Sequence, residues 1–171
     1  MDRVNTITFG GNPITLSGNE IKVGDTAPNF MAVKQDLSPF DFYAATEGKV
    51  VIISAVPSVD TGVCEFQTNK FNEEAAQLSK DVHIVTISVD LPFAQKRFCG
   101  AHGIENIDVV SDHRALDFGE KYGFILKEVR LLERGIVIID RNRQVKYVEY
   151  VSEVTTHVDY DKALEVVKAL V

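Results

Sequence analysis

The hydrophobic positions of the chain form short apolar runs that are separated by stretches with helical spacing. The opening residues alternate apolar and polar side chains around a Gly10-Gly11-Asn12 turn, which predicts a β-hairpin over residues 1–17. Later apolar runs have the length and continuity of buried strands. These predicted strands are Val50–Ile53, Val82–Val89, Ile107–Val110, Ile136–Ile139 and Val145–Val151. The polar stretch Asp140–Arg143 between the last two predicts a turn that joins an antiparallel pair.

Four helices are predicted between and after these strands, each with its own start or stop signal. The first helix starts near Thr61, and the second has a cap at Asp90, Pro92 in its first turn and an end at Gly100 or Gly103. The third spans Ala115–Tyr122 and is ended by Gly123, and the fourth starts near Tyr160. Strands that alternate with helices and end in a hairpin and a helix predict an α/β fold. Its mixed central sheet should be flanked by helices.

Composition and charge narrow the class of protein. The 171 residues are 45% hydrophobic and 25% charged, and no linker or repeat divides them, which predicts one globular domain over residues 1–171 with the hairpin as an extension. The net charge of −7 argues against nucleic acid or an anionic membrane as a partner. The first residues lack the apolar region of a signal peptide, and this predicts a cytoplasmic location, where thiols stay reduced.

Cys64 is one of two cysteines, and it follows a buried strand at the start of a predicted helix. With Thr61 as the N-cap, Cys64 takes the third helical position, where unpaired backbone N–H groups favour a thiolate. The alternative is that Cys64 is a small buried hydrophobic residue. The sequence around Cys64 has no cysteine-protease signature that would support a Cys-His hydrolase. The four histidines are scattered along the chain and form no zinc ligand set, so no metal is expected. They are His83, His102, His113 and His157.

Several separated motifs resemble those of one family. Pro57, Thr61 and Cys64 reproduce the P-x-x-x-T-x-x-C pattern of the peroxiredoxins, and Gly24–Phe30 resembles their upstream G-D-x-A-P-x-F segment. Three stretches are similar to the bacterial thiol peroxidase subfamily of atypical two-cysteine peroxiredoxins. They are residues 57–64, Asp90–Gln95 with Arg97–Cys99, and Ser111–Arg114. The likeness covers nearly the whole chain.

This resemblance implies a thioredoxin-like fold and a peroxidase that reduces hydrogen peroxide and organic hydroperoxides. Cys64 matches the peroxidatic cysteine, and Cys99 matches the resolving cysteine that forms an intramolecular disulfide with it. Thr61 and Pro57 match the supporting motif, and Arg134 falls where the family supplies an arginine from a strand. The family further implies thioredoxin as the electron donor, a homodimer and no cofactor.

The reaction suggests a role for each of these residues. Arg134 offers paired donors to the thiolate and to peroxide oxygens as charge moves between them. The Thr61 hydroxyl can position a peroxide, and Pro57 shields the loop from water. The alternative for Arg134 is a partly buried salt bridge with Glu133 or Asp140. Two aromatic residues, Phe93 and Phe98, are predicted to line the peroxide pocket.

A disulfide between Cys64 and Cys99 requires movement. Cysteines on separate helices packed on a sheet usually lie farther apart than the 5.5–6 Å that disulfide Cα atoms need. We therefore expect the first turn after Thr61 and the helix of Cys99 to unwind in each cycle. Two other classes stay open, a disulfide carrier or reductase on the same fold and a non-enzymatic binding module, although the absence of C-x-x-C argues against the former.

Overall fold

The computed structural model describes residues 1–171, which form eleven strands and five helices. The strands are β1 Asp2–Phe9, β2 Asn12–Ser17, β3 Met31–Val33, β4 Pro39–Asp41, β5 Val50–Ala55, β6 Val82–Ser88, β7 Asp108–Ser111, β8 Ile125–Leu126, β9 Leu131–Leu132, β10 Gly135–Ile139 and β11 Val145–Tyr150. The helices are α1 Phe42–Ala45, α2 Gly62–Ala75, α3 Pro92–His102, α4 Asp117–Tyr122 and α5 Tyr160–Leu170. None of the helices combines the length and the apolar character needed to cross a bilayer.

The central sheet has seven strands in the order β11-β10-β5-β6-β7-β3-β4. Strands β5, β6 and β7 are parallel, and the other pairs are antiparallel, so the predicted mixed sheet is confirmed. Helix α2 connects β5 to β6, and α3 connects β6 to β7. Because parallel strands end at the same edge of the sheet, the loops that lead into α2 and α3 lie at one edge.

Strand β5 is buried on both faces and divides the core into two layers. Val51, Ile53 and Ala55 belong to a cluster of 19 buried residues, whereas Val50 and Ile52 belong to a cluster of 11 on the other face. This alternation follows from the two-residue period of a strand. Since both faces are covered, residues Val50–Ile53 of this strand read as a continuous apolar run in the sequence.

The predicted N-terminal hairpin is confirmed as β1 and β2, and it joins a second sheet in the order β1-β2-β8-β9. The hairpin also holds the loop between β11 and α5. The Thr8 backbone N–H donates to the Ser152 carbonyl at 2.9 Å, and the Thr8 carbonyl accepts from the Val154 N–H at 2.9 Å. The Gly11 N–H donates to the Glu153 carboxylate at 2.8 Å.

One predicted helix begins later than expected. The segment from Ala115 becomes helical only at Asp117, because Leu116 adopts a left-handed conformation with φ of 51°. The buried carboxylate of Asp112 instead accepts hydrogen bonds from the backbone N–H groups of Phe118 and Gly119, at 3.1 and 2.9 Å. Burial raises the pKa of Asp112 to about 7.

The predicted cap of α3 at Asp90 is wrong, since Leu91 is the N-cap residue and makes no side-chain capping bond. The Asp90 carboxylate turns toward the loop after β5, where it accepts from the Ser58 hydroxyl at 2.7 Å and the Val59 N–H at 2.8 Å. Of the two predicted ends of this helix, Gly100 and Gly103, the structure has Gly103 as the C-cap. Its φ of 63° is a left-handed conformation that favours glycine.

Candidate active site

Cys64 lies in the first turn of α2, as its spacing from Thr61 predicts. Thr61 is the N-cap, and its hydroxyl oxygen accepts from the Cys64 backbone N–H at 3.3 Å. Pro57 is buried in the loop between β5 and α2, and Thr61 is exposed. Cys64 itself is fully buried, so its sulfur sits among the unpaired N–H groups of a helix start and away from bulk water.

Arg134 contacts the sulfur of Cys64. Its three guanidinium nitrogens have separate acceptors: Nη2 donates to Cys64 Sγ at 3.1 Å, Nη1 to Gln67 Oε1 at 3.0 Å, and Nε to the Val154 carbonyl at 2.8 Å. Gln67 and Val154 therefore fix the plane of the guanidinium while its third nitrogen meets the sulfur. A fixed guanidinium at this distance can donate to negative charge on the reacting atoms.

The strand assignment of Arg134 needs a correction, because the residue lies immediately before β10 and not within a strand. Its neighbour Gly135 pairs with Ala55 at the end of β5, which brings Arg134 beside the loop that leads to Cys64. A Cβ at Gly135 would lie 2.0 Å from the Glu149 carbonyl oxygen, so glycine is needed for this close pairing.

The alternative interpretation of Arg134, a salt bridge with Glu133 or Asp140, is wrong, because neither carboxylate reaches its guanidinium. Glu133 accepts from the backbone N–H of Arg134 at 2.6 Å, and Asp140 pairs with Lys146 at 3.5 Å. Glu133 is fully buried, and its second carboxylate oxygen has no partner. Burial raises the pKa of Glu133 to about 8, against the lowering effects of the Arg134 N–H and charge. The guanidinium of Arg134 therefore has Cys64, Gln67 and the Val154 carbonyl as its partners, and no carboxylate.

Gln67 is a site residue that the sequence reasoning missed. It is fully buried and links Arg134 to the central sheet, since its Nε2 donates to the Ser54 hydroxyl at 2.8 Å. Its spacing was a usable signal. Cys64, Gln67, Thr68 and Phe71 are all buried at i, i+3, i+4 and i+7, so this polar side chain occupies the inner face of α2.

Cys99 lies in α3 and is buried at 8% exposure. Both cysteines are free thiols, so their predicted disulfide stays a prediction. Gln35 Nε2 donates to Cys99 Sγ at 3.4 Å. Burial raises the pKa of the Cys99 thiol, and the Gln35 donor acts in the opposite direction. Cys99 therefore has an apolar setting with one weak donor, in contrast to the arginine beside Cys64.

The two predicted pocket residues have different settings. Phe98 is buried in a cluster that also contains Val59 and Cys99, whereas Phe93 is 64% exposed. A second aromatic group was not predicted. Phe66 packs against Tyr160 with ring centroids 5.7 Å apart, and burial raises the pKa of Tyr160 to about 12, with Arg134 lowering it and Cys64 raising it. Tyr160 is therefore within electrostatic range of the cysteine and the arginine.

The structure brings Pro57, Thr61, Cys64 and Arg134 to one edge of the sheet, and it places Cys99 on the next helix. No group of three or more histidine, cysteine or acidic side chains is arranged to hold a metal ion. A cysteine at a helix start that accepts a hydrogen bond from an arginine is typical of thiol-based redox proteins. The Redoxin family model matches residues 22–164. The chain belongs to the Redoxin family.

Two similar proteins carry the name thiol peroxidase. That of Halalkalibacterium halodurans is 57% identical over 164 residues, which cover 96% of this chain and 98% of the relative. That of Bacillus subtilis is 54% identical over 165 residues, with coverage of 96% and 98%. Identity at this level over nearly the full length assigns thiol-dependent peroxidase activity to the chain and confirms the family predicted from the motifs.

Solved structures agree with the fold. A peroxiredoxin-like protein from Aquifex aeolicus is 40% identical and superposes with a TM-score of 0.90, covering 99% of both chains. A thiol peroxidase from Chromobacterium violaceum gives a TM-score of 0.84 over 95% of both chains at 21% identity, which speaks for the fold alone. The predicted thioredoxin-like fold is confirmed.

Proposed function

We propose that this enzyme reduces hydrogen peroxide and organic hydroperoxides to water and alcohols, with Cys64 as the peroxidatic cysteine and Cys99 as the resolving cysteine. The observation that carries the proposal is the 3.1 Å contact between Arg134 Nη2 and Cys64 Sγ. A buried cysteine without a chemical role needs no charged partner, and burying an arginine is costly unless its donors are used.

In the first step the Cys64 thiolate attacks the terminal oxygen of the hydroperoxide. The new S–O bond forms as the O–O bond breaks, and the electron pair of that bond leaves with the second oxygen, which takes a proton to become water or an alcohol. Cys64 becomes a sulfenic acid. Negative charge moves from sulfur to the leaving oxygen, so the remaining guanidinium N–H groups of Arg134 and the Thr61 hydroxyl are the proposed donors along its path.

In the second step the Cys99 thiol condenses with the Cys64 sulfenic acid. An S–S bond forms, and the hydroxyl of the sulfenic acid leaves as water. A dithiol reductant then returns both cysteines to thiols by disulfide exchange. Thioredoxin is the proposed reductant, and a reducing cytoplasm and a homodimer are the proposed setting for antioxidant defence. The family motifs support these assignments.

Phe98 and Phe93 are the proposed apolar borders of the peroxide path. Phe98 shares a buried cluster with Val59 in the loop before α2, and the exposed Phe93 lies five residues earlier on α3. An apolar border would favour the organic part of an alkyl hydroperoxide over bulk water. Cumene hydroperoxide and hydrogen peroxide should therefore differ in kcat/KM.

The experiment is peroxide consumption with a thioredoxin reducing system, comparing the wild type with Cys64→Ser and Cys99→Ser. Cys64→Ser should lose all turnover, because a serine hydroxyl is not ionised at neutral pH and attacks peroxide poorly. In Cys99→Ser one equivalent of peroxide should oxidise Cys64 to the sulfenic acid, and steady turnover should fail. Excess peroxide should then accumulate overoxidised Cys64 in mass spectra.

Other outcomes would reject the proposal. Turnover that survives in Cys64→Ser would remove Cys64 from the chemistry. Equal loss of the first oxidation in both variants would identify a fixed structural pair. Disulfide exchange with no peroxide consumption in the wild type would favour a disulfide carrier on the same fold.

A further inference from the structure

Helix α3 is joined to the Cys64 segment at its beginning. Asp90 lies just before α3, and its carboxylate accepts from the Ser58 hydroxyl at 2.7 Å and from the Val59 backbone N–H at 2.8 Å. Ser58 and Val59 belong to the loop that leads into Cys64. The carboxylate also accepts from the Ser88 hydroxyl at 2.6 Å, so this attachment reaches back to the end of β6. Three hydrogen bonds to an acidic group make a firm anchor.

The chain that follows α3 is joined to the same segment through Asn72 of α2. Asn72 Oδ1 accepts from the backbone N–H groups of Glu105 and Asn106, at 3.1 and 2.9 Å. Its Nδ2 donates to the Gly103 carbonyl, and Asn106 Nδ2 donates to the Asn72 carbonyl, both at 3.4 Å. Asn72 is only 9% exposed, so these bonds are poorly replaced by water.

The Asn72 contacts lie directly beside the turn that carries Cys99. Gly103 caps α3, and its backbone N–H bonds to the carbonyl of Cys99. Asn72 also lies beyond the part of α2 that must open. Eight residues of helix separate it from Cys64, which amounts to about 12 Å along the axis at the usual rise. The first turns of α2 can therefore unwind while Asn72 keeps its partners.

We infer that Asp90 and Asn72 are positioning residues for disulfide formation, which anchor the two ends of the α3 segment to the Cys64 segment while residues 91–102 rearrange. The inference rests on the proposed function, in which Cys64 and Cys99 become bonded. A segment anchored at both ends samples a small volume, and this raises the effective concentration of Cys99 at the Cys64 sulfenic acid. Release of either anchor enlarges that volume.

The test is a rapid-quench experiment with one equivalent of peroxide on the wild type, Asn72→Ala and Asn72→Asp. Asn72→Ala should form the Cys64–Cys99 disulfide about tenfold more slowly, since one anchor's hydrogen bonds no longer restrain the segment. Its first oxidation should keep the wild-type rate, and excess peroxide should overoxidise more of its Cys64. Asn72→Asp keeps two acceptors for Glu105 and Asn106, so it should recover most of the disulfide rate.

Asn69→Ala is the matched control, because Asn69 lies on the same helix and makes no side-chain hydrogen bond. It should behave as the wild type in both steps. If Asn72 only stabilised the fold, Asn72→Ala would have a lower melting temperature but the same ratio of disulfide to overoxidised Cys64 as the wild type. An unchanged ratio, or faster disulfide formation, would overturn the inference.

Hydrogen exchange on the wild type gives a second test that needs no variant. In the disulfide form the amides of residues 92–102 should exchange faster than in the dithiol form, whereas those of Val59, Glu105 and Asn106 should stay protected. Loss of protection at Glu105 and Asn106 on oxidation would overturn the inference. A wild type that forms no Cys64–Cys99 disulfide would reject the proposed function, whereas a wild-type rate in Asn72→Ala would reject the anchors alone.

Discussion

Replacement of Arg134 by methionine tests the contact on which the proposed chemistry depends. Methionine fills similar volume but removes the donor 3.1 Å from Cys64 Sγ. Hydrogen bonds to charged groups contribute about 1.5–3 kcal/mol. At about 1.4 kcal/mol per factor of ten, the oxidation of Cys64 by peroxide should slow by roughly 10- to 100-fold.

The variant carries a stability cost that the assay must separate from catalysis. Gln67 Oε1 and the Val154 carbonyl lose their donor, and each buried acceptor left unpaired costs about 1–3 kcal/mol. Urea titration measures this loss, and the kinetics should then be run where the variant is fully folded.

The assay is rapid-quench mass spectrometry of Cys64 in a Cys99→Ser background, which isolates the first oxidation. Arg134→Lys should be intermediate, since it keeps the charge without the planar donors. Arg114→Met is the control, because Arg114 is exposed and forms no ion pair. A folded Arg134→Met protein that is oxidised at the wild-type rate would refute a role for the guanidinium in peroxide attack.

The remaining predictions concern titration. Gln35→Leu should move the alkylation of Cys99 to higher pH, because it removes the donor that lowers the pKa of that thiol. Peptide mapping of the alkylated protein checks this, and an unchanged pH profile at Cys99 would contradict it. Burial raises the pKa of Glu133 from 4.5 to about 8, so between these values the unfolded chain loses a proton that the folded protein keeps, and stability falls as pH rises. The free energy of unfolding of Glu133→Gln, measured by urea titration, should therefore rise relative to that of the wild type as the pH increases from about 5 to 8. A difference between the two proteins that does not change with pH would contradict this.

The elements that the sequence predicted best are those whose surroundings are uniform. Strand β5 is covered on both faces, so burial selects the unbroken apolar run Val50–Ile53, which can be recognised without knowledge of its partner strands. The start of α2 is predicted equally well, because the capping Thr61 bonds to a backbone N–H within the first turn of the same helix. The two-residue strands β8 and β9 escaped prediction, since a period cannot be read from so few residues.

The parts of the site that escaped prediction depend on contacts between distant residues. Asp90 has the sequence features of a helix cap, but the loop after β5 offers its carboxylate an N–H and a hydroxyl in competition with the helix start. Gln35 and Asn72 meet partners 64 and 31 or more positions away, and local patterns carry no trace of such pairs. The motif residues were found because a family resemblance records their joint arrangement.

The N-terminal hairpin belongs to the working unit of this enzyme, although it lies far from Cys64 in the sequence. Its Thr8 carbonyl accepts a hydrogen bond from the Val154 N–H, and the Val154 carbonyl accepts one from Arg134 Nε. A shortened version that kept only residues 18–171 would retain the cysteines and the arginine but lose the brace behind that arginine. Met1 is 95% exposed, so we expect a fusion partner joined before β1 to leave this brace in place. Protein engineers can extend this end of the chain, and they should not trim it.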